Sequence, residues 1–340
     1  MKVVARNPVV AVAGATGAVG VEMLKCLEGR KFPLATLKLL ASKRSAGKTM
    51  RFKGEDLTVE ELTPDSFKGV DIALFSAGGS VSRAFLDAVK AARAVMIDNS
   101  SAFRMDAGVP LVIPEINPGE ALKHKGVIAN PNCSTIIAAV PLWPLHRKNR
   151  IKRLIASTYQ AASGAGWAAM EELKDATRAA LDGKPFQQTI IPHPYAFNLF
   201  SHNTKIDPVT LANEEETKLV KETRKIFGDS EIRISATCVR VPVLRAHCES
   251  LTVEFERPMS REEATRILSD APGVRIVDDI EANHFPMPNE ASEQGDVLVG
   301  RLRPDMSDPS GHTLQMFVSG DQLLKGAALN AVQIAELLVK

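Results

Sequence analysis

Apolar runs and helical spacings alternate along the first third of the chain. Val9-Val10-Ala11-Val12-Ala13 is a short continuous apolar run, the pattern of a parallel strand buried on both faces. A glycine loop follows, then Val19, Met23, Leu24 and Leu27 at helical spacing, and Gly29 closes that helix. Further strands are predicted over 37–41, 72–76 and 94–98, with a helix over 81–92. The small-residue stretches Ala77-Gly78-Gly79-Ser80 and Asn99-Ser100-Ser101 follow two of these strands. The alternation predicts an α/β unit built on a doubly wound parallel sheet, with its ligand outside the carboxyl ends of the strands.

From about residue 151 the pattern changes. Residues 232–243 alternate, with Ile232, Ile234, Ala236, Cys238 and Arg240 on one face. Residues 250–256 alternate more cleanly, with Leu251, Val253 and Phe255 opposite Thr252, Glu254 and Glu256. Such half-polar strands suit a mixed α+β unit whose sheet has one wet or interfacial face. The stretch 184–203 reads as a long ordered loop, and 323–338 as an apolar helix that rejoins the first unit. The expected division is therefore 1–132 with 323–340, and 133–322.

Composition narrows the class. A chain of 340 residues with 45% hydrophobic and 24% charged residues has the material for two packed domains. Lys and Arg number 42 against 40 Asp and Glu, which gives no global drive toward nucleic acid or an anionic membrane. Lys2 and Arg6 precede an apolar run too short for a signal peptide, and Pro141 and Pro144 interrupt the longest apolar stretch, 135–145. Four cysteines, 26, 133, 238 and 248, are too few for a disulfide framework and point to a reduced, cytoplasmic chain.

Gly14, Gly17 and Gly20 stand between a predicted strand and a predicted helix. Close approach of a dinucleotide pyrophosphate to backbone amides needs such glycines, whereas a plain tight turn would not need the flanking elements. An NAD site places an acidic residue after the second strand. Here residues 30–53 hold eight Lys or Arg and no Asp or Glu, and Ser42-Lys43-Arg44-Ser45 follows the strand. That favours the 2′-phosphate of NADP over a merely solvated basic loop, with Arg44 as a planar partner.

Asn130-Pro131-Asn132 has the residue types of a helix start, which puts Cys133 in a first turn where amides and the macrodipole favour thiolate. Cys26 falls inside the first helix, Cys238 points with Ile234 and Ala236, and Cys248 follows a strand end. These three read as small buried hydrophobes. A thioester-forming thiolate needs a histidine nearby. His247 follows a strand carrying Arg240, while His193 and His202 sit in the long loop, so spacing leaves the choice open.

The motifs Gly14-Ala-Thr-Gly-Ala-Val-Gly20, Asn99-Ser-Ser-Ala-Phe-Arg104, Asn130-Pro-Asn-Cys-Ser-Thr135, Thr158-Tyr-Gln-Ala-Ala-Ser-Gly-Ala-Gly166, Arg240-Val-Pro-Val with His247, and Lys325-Gly-Ala-Ala with Asn330 occur in one order. Together they make the chain resemble the bacterial aspartate-β-semialdehyde dehydrogenases from about residue 5 to 340. The resemblance implies a Rossmann-like NADP-binding domain and a catalytic and dimerisation domain. It implies reversible conversion of L-aspartate 4-semialdehyde and phosphate to 4-phospho-L-aspartate, a step toward lysine, threonine and methionine. It further implies Cys133 as nucleophile, His247 as general acid/base and Gln160 as orienting residue. Arg240 and Glu215 would bind substrate, and Arg104, Lys218, Asn99 and Ser100 the phosphate. Gly14, Thr16, Gly17, Ala18, Val19, Arg44, Ser45, Ser76, Ser163, Gly164 and Asn330 would contact NADP. No metal is implied, and the assembly would be a homodimer.

The run Glu214-Glu215-Glu216 leaves the register of the substrate glutamate open by one, and an ordinary charged helix face is the plainer reading. Two alternatives stand beside the main one. N-acetyl-γ-glutamyl-phosphate reductase shares the plan, but its substrate lacks the free amine that Glu215 would meet. A non-catalytic NADP-binding interaction protein predicts an unreactive Cys133.

Overall fold

The computed structural model describes residues 6–339, so Lys2 lies outside the described residues. The chain forms two compact units, one holding the chain up to Asn132 and from Ala327 onward, the other Cys133–Gly326.

The first unit is built on β1 (Val9–Ala13), α1 (Ala18–Gly29), β2 (Thr36–Ala41), β3 (Thr49–Phe52), β4 (Glu55–Glu61), β5 (Ile72–Phe75), α2 (Gly79–Ala91), β6 (Val95–Asp98), α3 (Pro118–Ala121) and β7 (Val127–Ala129). Its sheet runs β3-β4-β2-β1-β5-β6-β7. All neighbours are parallel except the β3–β4 hairpin. Strands β5 and β6 are buried along their whole length, which explains their apolar sequences, broken only by Asp98 at the end of β6. Packed against them, Phe67 stacks on Phe75 with ring centres 5.7 Å apart.

The hairpin is absent from the sequence reading. β4 shows only Val59 to the core, so it has no apolar run to betray it. Its turn, Lys53-Gly54, has both residues at positive φ, 48° and 83°, as a two-residue hairpin loop requires.

The second unit holds α4 (Cys133–Lys148), β8 (Ile151–Gln160), α5 (Trp167–Leu181), β9 (Phe200–Ser201), α6 (Glu214–Phe227), β10 (Arg233–Arg240), β11 (His247–Phe255), α7 (Arg261–Ser269), β12 (Val274–Ile276), α8 (Pro288–Ala291), β13 (Val297–Pro304) and β14 (Thr313–Gly320). Its mixed sheet runs β12-β13-β14-β11-β8-β10-β9, with β8–β10 and β12–β13 parallel and the rest antiparallel. Helices α4 and α6 pack on one face of β8, β10 and β11. On β8, Leu154, Ala156, Thr158 and Gln160 are buried toward them, while Ile155 and Tyr159 on the other face stand exposed. The last helix, α9 (Leu329–Leu338), belongs to the first unit.

Three expectations need correction. Cys248 does not follow a strand end; it is the second residue of β11, and its side chain is buried. The prolines that interrupt the apolar stretch sit inside one continuous helix, α4, which is buried from Ser134 through Leu142 and needs no amphipathic face. The second boundary falls after Gly326, not at 322. The Leu323 amide donates to the Asp321 side chain at 2.9 Å and the Gly326 amide to the Asp321 carbonyl at 3.1 Å, while Asp321 accepts from Arg245 at 2.7 Å, which ties this segment to the second unit. A π-helical turn over Leu324–Ala328 then leads into α9.

Candidate active site

In the first unit, the glycine loop leaves β1 with Gly14 at φ +85°, a conformation closed to most side chains. A Cβ there would lie 2.3 Å from the Ser76 carbonyl oxygen, and one at Gly20 would lie 2.2 Å from that of Gly14. Gly17 caps α1 without a side chain, so the first amides of that helix, at Ala18 and Val19, face outward beyond the end of β1 beside exposed Thr16. This cradle fits a dinucleotide pyrophosphate. Beyond β2, Lys43–Ser45 forms one 3₁₀ turn in which Lys43 and Arg44 are exposed and Ser45 half-buried; none of its three residues carries a carboxylate.

The same unit holds a buried amide network. Asn130 donates to Asn99 at 2.7 Å, and Asn330 donates to Asn130 at 2.6 Å and to the Val112 carbonyl at 3.0 Å. Arg104 donates to the carbonyls of Asn130 and Asn99, both at 2.9 Å. Ser100 donates to Asp98 at 2.5 Å. Asp98 is itself pushed above the usual carboxylate range by burial. Asn330, fully buried, and Arg104 are thus engaged with the chain itself, fixing the backbone just ahead of Cys133.

In the second unit, three strands present a row of buried polar side chains. Arg240 faces Gln160 in the β10–β8 register, and the β8–β11 register sets His247 on the other side of Gln160. Gln160 donates to Ser134 at 2.8 Å and to Glu215 at 3.4 Å. Ser134 is the second residue of α4, so this bond places the start of that helix, with Cys133, over the row. Glu215 also pairs with Lys218 at 3.4 Å. Of the three glutamates only Glu215 is buried, turned toward Gln160. Arg240 donates to the Ala161 carbonyl at 3.0 Å and to Asn203 at 3.4 Å.

Cys133 is the one cysteine of the four that is not buried. Burial pushes the Cys248 thiol up to about 11 and that of Cys238 higher still, which leaves both inert. A Cβ at Gly326 would lie 2.9 Å from the Cys133 Cβ, so only glycine lets the π-helical turn pass behind the thiol.

His247 is fully buried, and its Nδ1 accepts from the Ala161 amide at 3.0 Å. An amide can only donate, so Nδ1 carries the lone pair and Nε2 carries the proton. Nε2 has no partner among the described residues. A Cβ at Gly164 would lie 3.1 Å from that Nε2 and 3.0 Å from Arg240 Nη1, so glycine keeps open the space both groups face. Burial, with the Arg240 charge, lowers the imidazole to about 3. The preceding residue, Ala246, is held at φ +70°, a strained position stabilised by its bond to Gln322.

Ser163 is buried and bonded to Gln322, beside exposed Gly164. Ser134 and Gly326 stand in two of the quoted motifs but were given no role there, and Asn203 and Gln322 were not singled out, because nothing in their spacing distinguishes them from packing residues. His202, left as a loop residue, lies within electrostatic reach of Arg240, Glu215 and Lys218. Among the described residues no cluster suits a metal ion, and no helix is long and apolar enough to cross a membrane.

Two family profiles cover most of the chain: "Semialdehyde dehydrogenase, NAD binding domain" matches residues 9–124, and "Semialdehyde dehydrogenase, dimerisation domain" matches 142–325. An aspartate-semialdehyde dehydrogenase of Synechocystis sp. is 56% identical over 333 residues, 97% of each chain. The chain belongs to the aspartate-semialdehyde dehydrogenase family. Among solved structures of that family, aspartate semialdehyde dehydrogenase II of Vibrio cholerae, complexed with ASA, superposes with a TM-score of 0.94 at 41% identity over 98% of both chains. The Candida albicans enzyme with NADP gives 0.74 at 25% identity, again over 98% of both. Family membership makes the chain an oxidoreductase acting on an aldehyde, with a nicotinamide-binding first domain. It sets aside both the acetylglutamyl-phosphate reductase and the non-catalytic reading.

Proposed function

We propose that this chain interconverts L-aspartate 4-semialdehyde plus phosphate with 4-phospho-L-aspartate, using NADP and a thioester on Cys133. The observation that carries the proposal is the row Arg240–Gln160–His247, bonded through Ser134 to the start of the helix that bears Cys133.

In the biosynthetic direction the Cys133 thiolate attacks the acyl phosphate, phosphate leaves, and the acyl group stays on sulfur. Arg240 forks the substrate α-carboxylate, and Glu215 meets its ammonium group. Lys218 offers charge to the phosphate, while Arg104, with Asn99 and Ser100, is the anion-binding candidate of the first unit. When bound, NADPH would supply the hydride for the thioester carbon. His247, as a neutral Nε2–H donor, hydrogen-bonds the carbonyl oxygen as charge develops on it, and collapse of the thiohemiacetal returns the thiolate. Gln160 holds the sulfur-bearing turn and the acyl group in register.

NADP over NAD rests on the basic turn after β2. Gly14, Gly17 and the α1 amides would hold the pyrophosphate, Arg44 and Ser45 the 2′-phosphate, and Ser76, Ser163, Gly164 and Asn330 would border the cofactor. A homodimer is supported by the dimerisation-domain match and by exposed Ile155 and Tyr159 on the uncovered face of β8. The four free cysteines suit the cytoplasm.

The decisive assay mixes aspartate semialdehyde, phosphate and either NADP or NAD, and follows reduction of the nicotinamide. Reduction of NADP that requires phosphate, and its loss in Cys133→Ser with NADPH binding intact, is the expected result. A Cys133→Ser enzyme with near-normal turnover would overturn the thioester route.

A further inference from the structure

Directly beneath the catalytic row lies a second row, in which Cys238 and Glu249 flank Thr158. Residues two apart on a strand share a face about 7 Å apart, and facing pairs lie about 5 Å apart, so Glu249 neighbours both His247 and Thr158. It is fully buried. Among the described residues, neither oxygen of its carboxyl group has a hydrogen-bond partner.

The groups around it are few. Its own strand presents His247 on the same face. β8 presents Thr158 and Gln160, β14 presents Val318, and β10 presents Cys238 and Arg240. From α6 comes Glu215, with Lys218 beyond it, and α4 begins with Cys133. Of the two buried carboxyls, Glu215 has Lys218 and Gln160 to hold a negative charge, and Glu249 has neither. Burial and the Glu215 charge push the Glu249 carboxyl well above the usual carboxylate range.

We propose that Glu249 is a positioning residue that works as a neutral carboxylic acid, leaving Glu215 the site's single carboxylate and His247 an uncharged Nε2–H donor. The inference rests on the catalytic reading above and deepens it. A carboxylate at Glu249 would draw a second proton onto His247. The resulting Nδ1–H would point at the Ala161 amide and break the bond that orients the ring. It would also set a further negative charge beneath a substrate that carries a carboxylate and a phosphate.

Infrared spectra of the whole enzyme with ¹³C-labelled glutamate read the charge state directly. A protonated-carboxyl stretch at neutral pH that disappears in Glu249→Gln is expected; a Glu249 that is ionised there overturns the proposal. Kinetics test the role. Glu249→Gln, neutral and of the same shape, should keep most of the wild-type kcat, and so should Glu249→Leu, because the carboxyl group has no hydrogen bond among the described residues to lose. The alkaline limb of the wild-type pH profile should move upward in Glu249→Gln. A Glu249→Gln enzyme that loses most of its kcat, or a profile that superposes on wild type, overturns the proposal. Should Glu249→Leu not fold, the infrared band and the Glu249→Gln profile decide alone. Absence of activity toward aspartate semialdehyde would sink the substrate reading but leave the infrared result standing.

Discussion

Cys133 stands partly open at the first turn of α4 while the other three thiols are sealed in strands and helices. That difference was legible in Asn130-Pro131-Asn132, whose residue types announce a helix start. What backs the thiol was not legible. Gly326 lies nearly two hundred positions away, in a motif that gives it no role of its own, yet a Cβ there would crowd Cys133 Cβ at 2.9 Å and its Cα at 3.3 Å. Gly326→Ala should therefore lower kcat by tenfold or more, since a displaced nucleophile loses its line of attack, with NADPH affinity unchanged. Stopped-flow turnover beside fluorescence titration of NADPH separates the two effects; a wild-type kcat would show that the turn yields freely. The tautomer of His247 is likewise hidden in sequence, because the amide that sets it belongs to Ala161, on another strand's end.

At the scale of elements, cap chemistry resolved what composition left ambiguous. Asn213 caps α6, and Glu216 closes a capping box with it at 2.9 Å. Glu216 is thus bound to its own helix start, Glu214 faces solvent, and Glu215 turns inward toward Gln160. The turn after β2 was legible for the opposite reason: its charge bias is local, and the structure keeps Lys43 and Arg44 on the surface. Removing a planar charged partner costs about 1.4 kcal/mol per tenfold in affinity, so Arg44→Ser should raise the KM for NADP about tenfold and leave that for NAD unchanged. Equal losses with both cofactors would remove Arg44 from the 2′-phosphate site. The β3–β4 hairpin went unseen because an edge pair with one buried residue on β4 carries almost no hydrophobic period.

For the whole molecule, two buried histidines set an acid limit on stability. Burial and the Arg240 charge lower His202 to about 4 and His247 to about 3, against about 6.5 in an unfolded chain. Above that value both states are neutral and nothing is gained or lost. Below it the unfolded chain takes up protons that the folded chain refuses, so stability falls as pH drops from about 6.5 toward 4, by up to about 1.4 kcal/mol per unit for each histidine. Urea unfolding between neutral and acid pH should show this slope, and His202→Asn should flatten it; a pH-independent midpoint would mean that the site opens to water.

By itself the sequence determined the parallel strands of the first sheet, the glycine loop and the basic turn, and it set Cys133 apart from the other three cysteines. Each is written in contiguous residues whose period, conformational freedom or charge acts over one strand or one helical turn. Only the tertiary structure decided which glutamate turns inward, which nitrogen of His247 bears its proton, that Gly326 backs Cys133 and that Glu249 lies beside His247. Those properties come from register between strands distant in the chain and from burial, and neither has a local trace in the order of residues.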